Sequence, residues 1–207
     1  MRLVAQNLCV ERGGRRLLGG LSFTLGPGGA LTVLGANGAG KTSLLRALCG
    51  LLRLSAGTVT LEDAPEGQNF GEAAHFIGHD NALKARLTAG QNLGFWAGVL
   101  GGDVREAALR GALAKVGLAH VYDLPVGVLS AGQKRRVAFC RALVAPRPLW
   151  LLDEPTTALD GGAVMALEGL IAAHRAGGGL VIAATHGALA LPGAERLTLK
   201  PPLKAAA

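Results

Sequence analysis

Three short stretches of the chain hold the residues that could do chemistry. Gly35-Ala36-Asn37-Gly38-Ala39-Gly40-Lys41-Thr42, followed by Ser43, has the spacing G-x-x-x-x-G-K-[ST]. Glycines there let the backbone wrap closely round phosphate oxygens with its N–H groups pointing inward. Lys41 can then reach the β- and γ-phosphates of a nucleotide, and the Thr42 hydroxyl can hold Mg2+. The chain contains 32 glycines, so a chance match has to be weighed. Its surroundings decide the matter: a short apolar run at 30–34 precedes it, and helical spacing of Leu44, Leu45, Leu48, Leu51 and Leu52 follows. A helix starting at Thr42 turns its positive N-terminal end toward the same anion.

The second stretch, Leu149-Trp150-Leu151-Leu152-Asp153-Glu154, is an apolar strand ending in two carboxylates. Ligand sites of parallel sheets lie at the carboxyl ends of strands. Asp153 can hold Mg2+ through water, and Glu154 can take a proton from an attacking water. On their own the pair would read as solvated acids at a strand end; beside a phosphate loop they read as metal holder and general base.

The third stretch is Leu129-Ser130-Ala131-Gly132-Gln133, followed by Lys134-Arg135-Arg136. Ser130 is a natural helix N-cap, and a helix N-terminus with a serine and a close glycine backbone is a second anion site. One phosphate loop does not need two such sites in one chain. The simplest account is a head-to-tail homodimer in which this segment closes on the γ-phosphate held by the other copy. Taken alone, the segment is an ordinary capped helix.

The elements that must position these stretches follow from the apolar pattern. Strands are expected at 2–10 and 20–26, with a basic turn at Arg12 to Arg16, and at 30–34, 58–61, 74–78, 149–152 and 180–184. Helical patterns cover 89–100, 103–116, 131–145 and 161–176. Strands alternating with helices imply an α/β fold with a parallel sheet covered on both faces. The Ala-rich middle reads as a helical insertion, so 1–207 forms one domain with a core at about 1–80 and 146–200 and a helical subdomain at about 81–145. The tail from Pro201 to Ala207 reads as frayed.

Composition narrows the classes of function. Half of the 207 residues are hydrophobic, which argues against disorder, and only 4% are aromatic, so the core is aliphatic. The net charge of +7 is scattered, with no aromatic-interleaved basic stripe of the kind that grips single strands, and no nucleic-acid partner is expected. A basic surface beside anionic lipid headgroups is the better use of that charge. Cys9, Cys49 and Cys140 have no C-x-x-C spacing and read as small buried hydrophobes. Gln6 and Asn7 interrupt the first apolar stretch, so no signal peptide is expected. Leu17 to Gly40 is uncharged, but its Gly26-Pro27-Gly28-Gly29 turn would leave backbone groups unsatisfied in lipid. No spanning segment is expected, and any membrane role must come through a partner.

With these motifs in order, nearly the whole chain resembles the ABC ATPase family. Gly35 to Thr42 is similar to Walker A, Leu149 to Asp153 to Walker B, and Leu129 to Gln133 to the family signature LSGGQ, with Ala131 at the third position. The resemblance implies Glu154 as catalytic base, Thr157-Ala158-Leu159-Asp160 as D-loop and His186 as the switch histidine that contacts the γ-phosphate. It implies a P-loop NTPase (RecA-like) parallel core with an antiparallel β part and an inserted helical subdomain. Two positions depart from the family: His79 falls where a Q-loop glutamine is usual, and Arg12 where an aromatic stacks on adenine. An imidazole can still hydrogen-bond near water and metal, and a planar guanidinium can stack on a base.

The stretch Phe76-Ile77-Gly78-His79-Asp80-Asn81-Ala82-Leu83-Lys84, the turn Arg12-Gly13 and Asn92-Leu93-Gly94-Phe95-Trp96-Ala97 resemble the ATPases of the cytochrome c maturation haem exporter, the CcmA family. That resemblance implies ATP and Mg2+ as ligands. It also implies a peripheral position on the cytoplasmic face of the bacterial inner membrane and integral membrane partners of the CcmB/CcmC kind. Nothing here binds haem itself, since there is no C-x-x-C-H and the five histidines are dispersed. Phe95 and Trp96 are candidates for lining the partner groove, with burial inside the insertion as the plainer reading.

Other readings stay open at this point. The ATPase of an ABC importer or general efflux system has the same motifs. A non-transport ABC protein acting on ribosomes or DNA usually needs two cassettes or a long coiled-coil insertion, and copurification with either would support it. A small-molecule kinase shares the phosphate loop but has no use for Leu129 to Gln133.

Overall fold

The computed structural model describes residues 1–12, 15–63, 70–186 and 189–200, with the side chains of Arg12 and Arg15 outside that description. Two compact units emerge. The first comprises residues 1–78, 148–155 and 171–207, and the second 79–147 and 156–170.

The first unit contains two sheets. Strands β1 (Arg2–Arg12) and β2 (Arg15–Leu25) pair antiparallel, with Leu3 opposite Leu25 and Ala5 opposite Phe23. Both run longer than the apolar pattern suggests. The β1–β2 register shifts between Ala5 and Leu8, where Asn7 takes φ 50°, a left-handed conformation that asparagine tolerates. The strand β4 (Ala56–Glu62) pairs with the other edge of β1, giving the order β2-β1-β4. Gly57 is required there: a Cβ would lie 2.3 Å from the Asn7 carbonyl oxygen, and φ is +88°.

The second sheet is parallel. It comprises β3 (Ala30–Leu34), β5 (Ala74–Ile77), β6 (Leu149–Asp153), β7 (Leu180–Ala184) and β8 (Glu195–Thr198), in the order β5-β6-β7-β3-β8. All residues of β6 and β7 are buried, as expected of central parallel strands, which explains their uninterrupted apolar runs. The edge strand β8 is mostly exposed and escapes the sequence pattern. Helix α1 (Lys41–Leu48) buries Leu44, Leu45 and Leu48, and the single turn α2 (Phe70–Ala73) leads into β5. Because β6, β7 and β3 are neighbours and parallel, the segments leaving their carboxyl ends emerge side by side.

The second unit is helical. It holds α3 (Ala89–Leu100), α4 (Glu106–Lys115), α5 (Ala131–Phe139), the short α6 (Arg141–Val144) and the first part of α7 (Gly161–Ala176). The single helix expected at 131–145 divides at Cys140. Leu93, Leu113, Leu118, Val137 and Cys140 are fully buried in a core that belongs to this unit. Burial pushes the Cys140 thiol up to about 12, so it behaves as a small hydrophobe. Cys49 is buried too, whereas Cys9 is half-buried and its Sγ accepts from the Gly20 N–H at 3.3 Å.

One polar residue organises the entrance to α3. Asn92 is 2% exposed; its Oδ1 accepts from Lys84 N–H at 2.8 Å, and its Nδ2 reaches the carbonyls of Lys84, Leu87 and Thr88. A buried amide with every group bonded pins the 84–88 segment to the helix. Trp96 Nε1 donates to the Ala82 carbonyl at 3.0 Å, and the Arg141 guanidinium lies 4.8 Å over its ring. Burial, then the charge of Arg135, lowers Arg141 to about 10, which leaves it cationic at neutral pH. Of the two aromatics proposed for a partner groove, Phe95 is 47% exposed and Trp96 is half-buried. Among the described residues no helix is long and apolar enough to cross a membrane.

Candidate active site

The phosphate loop follows β3 and turns on three left-handed glycines: Gly35, Gly38 and Gly40 have φ of +148°, +82° and +99°. Gly35 has no room for a side chain, since a Cβ would lie 2.8 Å from the Leu199 carbonyl oxygen. The tip is a closed turn, with the Ala39 N–H donating to the Ala36 carbonyl at 3.1 Å. Lys41 opens α1 and is 7% exposed; its Nζ donates to the Gly35 carbonyl at 2.8 Å. Thr42 Oγ1 donates to Asp153 Oδ2 at 2.8 Å, and Ser43 follows in the same helical turn.

The carboxylates come from the end of β6. Asp153 is 4% exposed and faces Thr42. Glu154 leaves the strand at φ 45°, an uncommon conformation for a non-glycine residue, held by its N–H donating to the Ala184 carbonyl at 2.8 Å. That turn sends the two acids to different places. Glu154 Oε1 lies 3.9 Å from Lys41 Nζ and 3.2 Å from His186 Nε2. His186 follows β7, and its Nε2 also lies 3.0 Å from Asn37 Oδ1 and 3.3 Å from Lys41 Nζ.

Thus Gly35 to Ser43, Asp153, Glu154 and His186 are brought together within the first unit. A hydroxyl and a carboxylate side by side are hard oxygen donors, the set Mg2+ prefers. No group of three His, Cys, Asp or Glu residues is placed to hold a metal among the described residues. An ion bound beside Thr42 and Asp153 would take one or two protein oxygens, with substrate phosphates and water completing its shell. An ammonium, a carboxylate and an imidazole gathered at one glycine-rich loop can bind a polyphosphate, orient a water and take its proton.

The other sequence-identified residues lie elsewhere. Leu129 to Gln133, Asp160 and the exposed His79 belong to the second unit. Ser130 caps α5 in a reciprocal box: its Oγ accepts from the Gln133 N–H at 3.2 Å, and Gln133 Oε1 accepts from the Ser130 N–H at 2.9 Å. Ala131 is exposed, which explains why a methyl is tolerated there. Gly132 is not replaceable in the same way, since a Cβ would lie 2.6 Å from the Ala158 carbonyl oxygen. Asp160 caps α7, its Oδ1 accepting from the Ala163 N–H at 2.8 Å. The basic run after Gln133 is not one open face: Arg135 is buried with its Nη1 3.3 Å from Asn81 Oδ1, and Arg136 Nη1 donates to the Val116 carbonyl at 3.1 Å. The Arg12 side chain lies outside the described residues. Sequence reasoning passed over the side chains of Asn37 and Asn92. Asn37 occupies a free position of the loop pattern, and Asn92 has the same sequence signal as any other helical amide.

Residues 18–157 match the family described as ABC transporter. The cytochrome c biogenesis ATP-binding export protein CcmA of Rhizobium etli is 48% identical over 203 residues, 96% of this chain and 94% of that protein. The CcmA proteins of Rhodopseudomonas palustris, over 195 residues (94% of this chain, 96% of that one), and Rhizobium meliloti, over 202 residues (96% and 98%), are also 48% identical. In fold, the chain superposes on a bacterial Atm1-family ABC exporter with ATP bound. The TM-score is 0.81 at 23% identity, over 97% of this chain and 37% of that one. It superposes likewise on an ATP-binding subunit of an ABC transporter, with a TM-score of 0.79 at 23% identity, covering 90% and 80%. The chain therefore belongs to the ABC transporter family, among its ATP-binding proteins of the CcmA cytochrome c biogenesis type.

Proposed function

We propose that this chain is the ATP-hydrolysing subunit of a haem-exporting ABC complex that serves cytochrome c maturation. It works on the cytoplasmic face of the bacterial inner membrane. Supporting the hydrolytic part most directly is Glu154, a carboxylate held by a strained turn within reach of both Lys41 and His186. In this reading the backbone N–H groups of Gly35 to Ser43 cradle the phosphates, and Lys41 moves from the Gly35 carbonyl to the β- and γ-phosphates. Glu154 takes the proton of the attacking water, and the His186 Nε2–H steadies the γ-phosphate. Thr42 and Asp153 would hold Mg2+, which neutralises charge developing on the phosphate oxygens.

The signature segment acts on the ATP of a second copy. The N-terminus of α5, the Ser130 hydroxyl and the close Gly132 backbone suit an anion, and the first unit already has a phosphate loop of its own. Membrane attachment comes through integral subunits of the CcmB/CcmC kind, with the exposed Phe95 among the contacts and the His79 loop beside them. Arg12 stacks on the adenine. The test is purification of the chain from native membranes, with ATP hydrolysis measured in the material obtained. Haem-handling membrane subunits and phosphate release lost in Glu154→Gln are expected. A partner set without haem-handling subunits overturns the export assignment and leaves the hydrolysis standing.

A further inference from the structure

Asn37 occupies a free position of the phosphate-loop pattern, yet its side chain reaches a residue 149 positions away in the chain. Asn37 rides on the turn closed by the Ala39 N–H to Ala36 bond, so its place is set by the loop itself. His186 is held less firmly. Its side chain is 54% exposed, and its polar contacts among the described residues all fall on Nε2. Two of those three neighbours, Asn37 Oδ1 at 3.0 Å and Glu154 Oε1 at 3.2 Å, are acceptors. The third, the Lys41 ammonium at 3.3 Å, is a donor, and one of its three N–H groups goes to the Gly35 carbonyl. A lone pair at Nε2 would face a carboxylate oxygen, whereas a proton there can be donated to the amide. With two acceptors against one donor around Nε2, a proton on that nitrogen makes the better set of contacts and points toward the phosphate loop.

We propose that Asn37 is a positioning residue for His186: its amide oxygen holds the imidazole over the loop, Nε2–H inward, before nucleotide arrives. The idea rests on the reading of His186 as the γ-phosphate contact. An exposed ring on two rotatable bonds would otherwise spread over several rotamers, and the reactive arrangement would have to select one of them. Fixing it in advance places the donor where charge develops. Asn37 itself makes and breaks no bond in the reaction, and phosphate affinity rests on backbone N–H groups that its removal leaves in place.

The experiment is a double-mutant cycle in the assembled membrane complex. Asn37→Ala should lower kcat roughly three- to tenfold, the value of one hydrogen bond, with KM for ATP within about twofold. In a His186→Ala background the same substitution should cost nothing further. An equal fall in both backgrounds, or a raised KM with kcat held, overturns the proposal. A His186→Ala variant with unchanged kcat overturns the reading beneath it, which is a different result. Should His186→Ala leave too little turnover to measure, the ring decides the matter. In the full chain carrying 15N-histidine, without nucleotide, the Nε2–H signal missing in His186→Ala belongs to His186. Asn37→Ala should shift and broaden it, and an unaltered signal overturns the proposal.

Discussion

The phosphate loop of the first unit and the capped segment at the start of α5 in the second are both proposed to meet anions, but their side chains are spent differently. Around the loop, functional groups from three separate strand ends meet one another: Lys41 with Glu154, Thr42 with Asp153, His186 with Asn37. At the start of α5 the cap is local, Ser130 with Gln133 three residues away, while Gly132 lies close against the backbone of Ala158. The first arrangement holds opposite charges close together and can drive a reaction once phosphate displaces them. The segment Leu129 to Gln133 carries no acid or base of its own, which suits the recognition role proposed for it. In the proposed reading, a reactive site and a recognition site in one chain are what a shared, two-copy hydrolysis needs.

The sharpest way to break this comparison is Glu154→Gln. Phosphate release should fall by roughly 10²–10⁴-fold while nucleotide binding persists. Normal turnover would mean that the base lies outside the cluster. Next in size, Lys41→Ala removes the ammonium, and ATP affinity measured by fluorescent-nucleotide titration should drop by roughly 10–100-fold, the value of a charge-assisted hydrogen bond. Ser130→Ala sharpens the recognition side. It should cost about 1 kcal/mol in denaturant unfolding through the lost cap. Turnover of the complex should fall too, while ATP affinity of the isolated chain stays at the wild-type value. An isolated chain that loses affinity would place the segment in its own site.

The smallest effect lies away from both sites, in the first unit. The His174 ring stacks on Trp150 at 4.1 Å and 9°, and Gly179 leaves room for it, since a Cβ there would lie 2.3 Å from Nε2. Burial lowers its pKa from 6.5. Above that value the ring is neutral in both states. As pH falls below it, the unfolded chain binds a proton that the folded chain resists, so stability declines. Urea midpoints should fall between pH 7.5 and 5.5, and His174→Phe, which keeps the stack, should flatten that fall. An unchanged slope would place the titration elsewhere.

Much of the fold was legible because its signals are local. The apolar runs at 149–152 and 180–184 read as strands of a parallel sheet with covered faces, and Ser130 announces a helix start by cap chemistry. The edge strand β8 was missed because an exposed edge needs no apolar run, and the break at Cys140 because nothing in its neighbours' types marks it. His186 became a candidate through family resemblance alone, as a lone histidine after an apolar strand carries no pattern. Asn92 and Asn37 were invisible as structural residues, because an amide's partners depend on which backbone lies within reach.

What the sequence determined by itself was the set of reactive types and the local backbone that presents them: the glycine spacing that curls the loop, the lysine and threonine that follow it, and the acids at a strand end. Those depend on neighbours along the chain. The meeting of the groups was decided by the order β6-β7-β3 in the parallel sheet, which aligns three distant carboxyl ends. Hydrogen bonds reach only about 3 Å, so which carboxylate faces Thr42 and which amide faces His186 is settled by strand order and by one strained turn at Glu154.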